Sequence, residues 1–199
     1  MVLIKAAEFK PPVAIRKENQ EELIPSALLE ADADQNPDLV EFVPGVVTRS
    51  IGLIERGRQK HYYSDGNFNL IRLIFHILKQ TGPAHVFVTT YSISHESLTK
   101  VQNALDKGDL LSIRFLIDNR VKVMSPKPFQ YLKQSFNYRC TSLHAKVALI
   151  ENEEWRISIV TSQNATDNPK LERGVIFTDD QIFNFDKNHL ESVFNRGTD

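Results

Sequence analysis

Two short apolar segments, at residues 142–151 and 155–162, constrain the fold of this chain more than any other feature. Both are rich in aliphatic and β-branched residues, and only a short acidic turn separates them, so we predict two adjacent strands. Polar side chains lie at the outer ends of these segments: His144, Lys146, Ser162 and Asn164. Side chains at i and i+2 project from the same face of a strand, so each pair would stand side by side. The pattern predicts a nucleophile or acid, a cation and hydrogen-bond donors gathered around one small anion.

These polar residues follow the order of a known signature. The chain resembles the phospholipase D superfamily, whose motif is His-x-Lys-x-x-x-x-Asp, followed by Gly-Ser-x-Asn and a Glu. The matching positions are His144, Lys146, Glu151, Ser162, Asn164 and Glu172. Glu151 stands where the family has Asp, and Thr161 stands where it has the Gly before the serine. The resemblance covers residues 67–177, and its specific part is the His-x-Lys with the Ser-x-Asn.

The resemblance implies an α/β fold, with a phospholipase D-like mixed β-sheet flanked by helices, and phosphodiesterase or endonuclease chemistry without metal or cofactor. One imidazole would attack phosphorus to form a phosphohistidine, and a second would protonate the leaving oxygen before water resolves the intermediate. His144 would be the nucleophile or the general acid, and Glu172 would orient its imidazole. Lys146 and Asn164 would bind the phosphate. Ser162 would hydrogen-bond within the site, and Glu151 would only support it.

The chain carries a single His-x-Lys, although this mechanism needs two histidines that face each other. A chain with one copy must therefore borrow the second histidine from a twin. The resemblance thus implies a two-fold symmetric homodimer with the catalytic groove across its axis.

Charge is unevenly distributed, although the formal net charge is only -1. Between Leu111 and Ile150 the only acidic residue is Asp118, so this stretch is strongly basic. A basic stretch that leads into a phosphate-type site favours a polyanion, because phosphate neutralisation supplies most non-specific affinity for nucleic acid. The candidate contacts to DNA or RNA are Arg114, Arg120, Lys122, Lys127, Lys133 and Arg139. A nuclease is the predicted function.

Two other functions remain open. The changes at Glu151 and Thr161 are compatible with a catalytically inactive protein that keeps the fold and binds nucleic acid. A phospholipid phosphodiesterase is disfavoured, since the sequence shows no interfacial amphipathic helix with aromatic anchors and no secretion signal.

Composition agrees with a compact soluble enzyme. Of 199 residues, 41% are hydrophobic and 25% charged, and no apolar run approaches the ~20 residues that span a membrane. A lone Cys140 excludes an internal disulfide and fits the cytoplasm. The other histidines lack metal-ligand spacing and are interpreted as surface or packing residues: His61, His76, His85, His95 and His189. Four aromatic residues are interpreted as core: Tyr62, Tyr63, Phe68 and Tyr91.

The pattern of elements predicts two regions. In residues 1–60, prolines scattered among acidic residues indicate an N-terminal extension with short elements, including a strand over 46–54. Residues 61–199 form the predicted phospholipase D-like domain, in which strands alternate with helices. Helices are predicted from Leu70 to a Gly82-Pro83 stop and over 94–107, 126–136 and 181–194. Besides the central pair, strands are predicted over 85–91, 111–118 and 173–178.

Overall fold

A computed structural model describes residues 38–39, 47, 51–66 and 68–199 of the chain. The predicted extension before residue 38 therefore lies outside the described residues. The strands are β1 (Asp38–Leu39), β2 (Gln59–Ser64), β3 (His85–Thr90), β4 (Ser112–Asp118), β5 (Asn137–Thr141), β6 (Val147–Glu151), β7 (Arg156–Thr161) and β8 (Glu172–Phe177). The helices are α1 (Leu70–Thr81), α2 (His95–Lys107), α3 (Val121–Met124), α4 (Pro126–Ser135) and α5 (Asp180–Arg196).

The strands form one mixed sheet in the order β1-β2-β8-β7-β6-β3-β4-β5. β6 lies near its centre and runs antiparallel to both β3 and β7, whereas β3, β4 and β5 are mutually parallel neighbours. The start of β6 therefore meets the ends of β3 and β7, with Val147 paired to Thr89 and Val160. Chain segments that leave or enter these strands consequently converge at one edge of the sheet.

Apolar side chains alternate between the two faces of the sheet, and each face is covered by helices. On one face Ala148 and Ile150 belong to the large buried cluster that includes residues of α1, α2 and α4. On the other face Val147 and Leu149 pack with Phe183 and Phe194 of α5. The α/β fold predicted from the sequence, a mixed sheet flanked by helices, is confirmed.

Helix boundaries follow the capping chemistry of the sequence. The Asn69 side chain accepts a hydrogen bond from the Arg72 N–H at 3.0 Å, and Ser94 caps α2 in the same way through Ser97. Gly82 ends α1 at a φ of 82°, a conformation that favours glycine.

Several boundaries differ from the sequence-based predictions. The strand predicted over 46–54 is not formed: Val47 and Ile51 are helical and are buried in the core, and residues 46 and 48–50 lie outside the described part. The Gln80 side chain also fixes this segment, accepting from the Ile54 N–H at 2.9 Å. The boundary predicted between residues 60 and 61 falls inside β2, which the sequence analysis missed, as it missed β5.

Candidate functional site

His144 and Lys146 lie in the segment just before β6. The sequence analysis had predicted them on the strand itself. The His144 side chain is exposed, whereas Lys146 is only 7% exposed. The Lys146 Nζ lies 3.2 Å from Nδ1 and 3.4 Å from Nε2 of His144, and it donates to the His144 carbonyl at 2.7 Å. Burial lowers the pKa of Lys146, and the nearby Glu172 carboxylate opposes that fall. The exposed imidazole of His144 thus lies in contact with the buried amine of Lys146.

Hydrogen bonds from β3 fix the backbone around Lys146. The fully buried Thr89 hydroxyl donates to the Ala145 carbonyl at 3.0 Å and accepts from the Val147 N–H at 2.8 Å. One hydroxyl therefore satisfies backbone groups on both sides of the lysine, at the point where β6 begins.

Asp118, at the end of β4, fixes the approach to His144. Its Oδ2 accepts from the Leu143 N–H at 3.0 Å, and its Oδ1 accepts from the Arg120 N–H and Nε, both at 2.9 Å. Burial raises the pKa of this carboxyl, but the hydrogen bonds and charge outweigh burial, so the pKa lies below its ordinary value. The single acid of the basic stretch is therefore a structural anchor.

The ring of Tyr91 contacts both the His144 imidazole and the Arg120 guanidinium. The Tyr91 ring lies 5.2 Å from the His144 ring between centroids, and the Arg120 guanidinium lies 4.5 Å from the Tyr91 centroid. Interpreting Tyr91 as core was wrong, because it lies at the end of β3 beside the motif. Tyr62 and Phe68 are buried as predicted, whereas Tyr63 is 46% exposed.

We expect Asp118→Asn to lower the free energy of unfolding by about 1–3 kcal/mol, because the N–H groups of Leu143 and Arg120 lose a charged acceptor that is itself buried. The depressed pKa sets the pH dependence. The carboxylate contributes fully above about pH 5, and its contribution is lost as the pH falls below about 4. Urea unfolding of the wild type and the variant at neutral pH and at acid pH, well below about 4, measures the effect. The matched control is Asp109→Asn, at an exposed position. An equal loss at acid and neutral pH would contradict this assignment.

Ser162 and Asn164 follow β7 and approach the same sheet edge from the neighbouring strand. They lie beyond the strand on which they were predicted. The Asn164 Oδ1 accepts from the Tyr91 N–H at 3.2 Å and from the Thr90 hydroxyl at 3.4 Å. With the oxygen so occupied, the Asn164 Nδ2 has no hydrogen-bond partner in the described part of the chain and can donate to a ligand.

Glu172 begins β8 and is 8% exposed. The Ser162 hydroxyl donates to its Oε2, and the Asn168 Nδ2 donates to its Oε1 at 2.9 Å. Among the described residues no hydrogen bond joins Glu172 to His144, so the predicted orientation of the imidazole by Glu172 is not formed within one chain. Glu172 acts instead on Lys146 by charge.

Thr161 fits the position of the family's glycine because its side chain turns into a buried polar cluster. The Tyr62 hydroxyl donates to the Thr161 Oγ1 at 3.1 Å and to the Gln163 Oε1 at 2.7 Å. Gly174, the cross-strand partner of Thr161, lies against Tyr62, where a Cβ would collide with the phenol. The Thr161 side chain is thus accommodated in this cluster, and among the described residues it makes no hydrogen bond to His144.

Glu151 is not part of the site, contrary to its predicted supporting role there. It lies at the opposite end of β6 from Lys146, where it pairs with Lys187 of α5 and lies 3.7 Å from Arg156. The extra methylene relative to Asp therefore affects an ion pair between the sheet and α5.

The basic residues of the predicted nucleic-acid surface separate into two groups. Arg114 pairs with Glu191, and Arg139 pairs with Asp199 at 2.6 Å, so both join the sheet to the C-terminal part. Arg120 remains 62% exposed beside the site, and Lys127 and Lys133 are exposed on α4. Lys122 belongs with the first group, because its Nζ donates to the Asp199 carbonyl at 2.7 Å.

The sequence analysis missed the four residues that hold the motif in place: Thr89, Thr90, Tyr91 and Asp118. Each lies at the end of β3 or β4. Polar residues that end parallel strands could have signalled them, because such ends meet at one sheet edge. Among residues that the structure describes, no cluster of three or more His, Cys, Asp or Glu could hold a metal ion. No helix in the described ranges is long and apolar enough to span a membrane.

The mixed sheet and its flanking helices form a phospholipase D-like fold. Solved structures that share this fold include the following two. NucT from Helicobacter pylori is 14% identical, with a TM-score of 0.52 over 70% of this chain and 98% of NucT. Polyphosphate kinase from Porphyromonas gingivalis is 11% identical, with a TM-score of 0.53 over 71% of this chain, which spans only 26% of the kinase. The sequence matches no protein-family model and no curated protein.

Proposed function

We propose that this protein is a metal-independent phosphodiesterase that cleaves nucleic acid in the cytoplasm through a phosphohistidine at His144. One observation carries the proposal: an exposed imidazole lies 3.2 Å from the Lys146 amine, at the sheet edge where the Asn164 Nδ2 has no described partner. A phosphodiester needs a nucleophile and donors for its charged oxygens, and these three side chains supply both.

Each residue has a role in this mechanism. His144 attacks phosphorus, and the Lys146 amine and the Asn164 amide bind the non-bridging oxygens as negative charge develops on them. Ser162 and Glu172 are positioning residues: the carboxylate holds the serine and counters the fall in the pKa of Lys146. The negative charge of Glu172 thereby favours the charged form of the sheltered amine, against the effect of burial.

The second histidine is supplied by a twin chain in a homodimer. It protonates the leaving oxygen, and after exchange of product for water it accepts the proton from the attacking water. Exposed apolar side chains close to the site support self-association. Tyr63 pairs with Arg173 next to Glu172, Leu171 directly precedes Glu172, and Val160 lies 41% exposed beside Val147.

Nucleic acid is the proposed substrate because of the charge around the site. Residues 119–150 contain no Asp or Glu. The exposed Arg120 contacts the ring of Tyr91, which in turn contacts the ring of His144.

Cleavage in excess chelator tests this function. Purified protein is incubated with end-labelled single-stranded DNA, duplex DNA and RNA, each with EDTA, and products are resolved on denaturing gels. We expect cleavage of at least one substrate. Tight, salt-sensitive binding without any cleavage would contradict the proposal and would indicate a catalytically inactive nucleic-acid-binding protein.

A further inference from the structure

The helix α3 forms an apolar tip beside the candidate site. It has only four residues, and two of its side chains point into solvent: Val123 is 83% exposed and Met124 is 70% exposed. Val121, by contrast, is buried and anchors the helix to the core. Two adjacent large apolar side chains at such exposure are costly to leave in water and indicate a surface that something covers.

The tip is connected to His144 by direct contacts. The Met124 N–H donates to the Arg120 carbonyl at 2.8 Å, so the tip lies one helical turn, about 5 Å along the axis, from Arg120. The Arg120 guanidinium stacks 4.5 Å from the Tyr91 ring, and that ring lies 5.2 Å from the His144 imidazole. A ligand whose phosphate is at His144 would therefore extend along Tyr91 and Arg120 towards Met124.

Charge around the tip selects a polyanion as the occupant. Arg120 and Lys122 precede it in the chain and Lys127 follows, with no acidic residue from Asn119 to Ile150. Asp118, which pairs with Arg120, is buried, and the Asp199 carboxylate pairs with Arg139, so the exposed guanidinium of Arg120 and the exposed Lys127 remain beside the tip. The combination of apolar and cationic groups fits unstacked bases joined by phosphates. Proteins that kink or unstack nucleic acid insert Met and other apolar side chains between bases in this way.

We propose that Val123 and Met124 contact unstacked bases next to the bound phosphate, so that single-stranded or locally unpaired nucleic acid is the preferred ligand of the site. This inference rests on the proposed function for its substrate class. An intact duplex buries its bases in the stack and offers the tip only backbone, whereas a single strand offers base faces. An anionic membrane is the less suitable occupant, because one short turn lacks the broad apolar face of interfacial helices.

The test is a binding experiment in a His144→Ala background, which separates ligand preference from cleavage. Affinities for one labelled sequence, as single strand and as duplex, are measured by fluorescence anisotropy at fixed salt, with and without the double substitution Val123→Ser/Met124→Ser. We expect the double variant to lose about tenfold in affinity for the single strand and less than about twofold for the duplex. Both side chains are exposed, so folding should be unaffected.

The matched control is Leu111→Ser, which removes another exposed apolar side chain, 53% exposed, at the opposite end of β4. It should change neither affinity. Equal losses for single strand and duplex, no loss, or no binding to either form would overturn the inference. Binding of the same two proteins to phosphatidylserine vesicles is measured in parallel. If the double variant lost vesicle binding while its DNA affinity was unchanged, the inference would also be overturned and the tip would be assigned to a membrane. Absence of cleavage by the wild type would contradict the proposed function alone.

Discussion

His144→Ala is expected to reduce the single-turnover rate of phosphodiester cleavage by at least about 10³-fold, because it removes the group that attacks phosphorus. The imidazole is exposed and its ring contacts are with Tyr91 and Lys146, so the substitution leaves the core intact. Binding of the same oligonucleotide should fall far less than the rate. Rates and affinities are measured in EDTA on the substrate that the wild type cleaves best.

The matched control for this prediction is His85→Ala. His85 begins β3, at the end of the strand opposite to Tyr91, and its Nδ1 lies 2.8 Å from the Ser112 hydroxyl. Cleavage by this variant should match the wild type. Comparable rates for His144→Ala and His85→Ala would show that His144 does not act in the reaction.

Subunit mixing is expected to show that two chains share each site. When His144→Ala protein is exchanged into wild-type dimers at equal concentration, about one quarter of the dimers keep both histidines. If only those dimers cleave, activity per wild-type chain falls to about one half and continues towards zero as the variant is added in excess. Independent sites would leave activity per wild-type chain unchanged.

Two conditions make the mixing experiment decisive. Substrate is kept in large excess, so that the inactive chains cannot lower the rate by sequestering it. His85→Ala is added in a parallel series and should raise total activity in proportion to its amount. Sedimentation at the same concentrations gives the oligomeric state, and a monomer with full activity would contradict the shared site.

The sequence predicted those parts of the fold in which local pattern and tertiary context agree. α1 has a clear apolar stripe, an Asn cap and a Gly82-Pro83 stop, and β6 and β7 are rich in aliphatic and β-branched residues. β2 was missed because its residues Gln59–Ser64 are mixed in polarity, and pairing with β8 determines its conformation. The helical Val47 and Ile51 were predicted in a strand because a short apolar run has no decisive period.

For the site, the sequence identified the groups that could touch a phosphate but not those that hold them. His144, Lys146, Ser162 and Asn164 follow a spacing that can be read directly. Their supports come from β3 and β4, which are more than twenty residues away in the chain, and only the strand order brings them together. Asp118 was noticed only as an exception in a basic stretch, yet it fixes both Leu143 and Arg120.

The central claim is that phosphorus is transferred to His144, and trapping that bond tests it most directly. A single-turnover reaction in EDTA with internally labelled nucleic acid is quenched in alkaline denaturant, in which a phosphoramidate survives, and the labelled residue is located by mass spectrometry. The account predicts a transient label on His144 that is lost on acid treatment. Label on another residue, or continued cleavage in EDTA by His144→Ala protein, would contradict it.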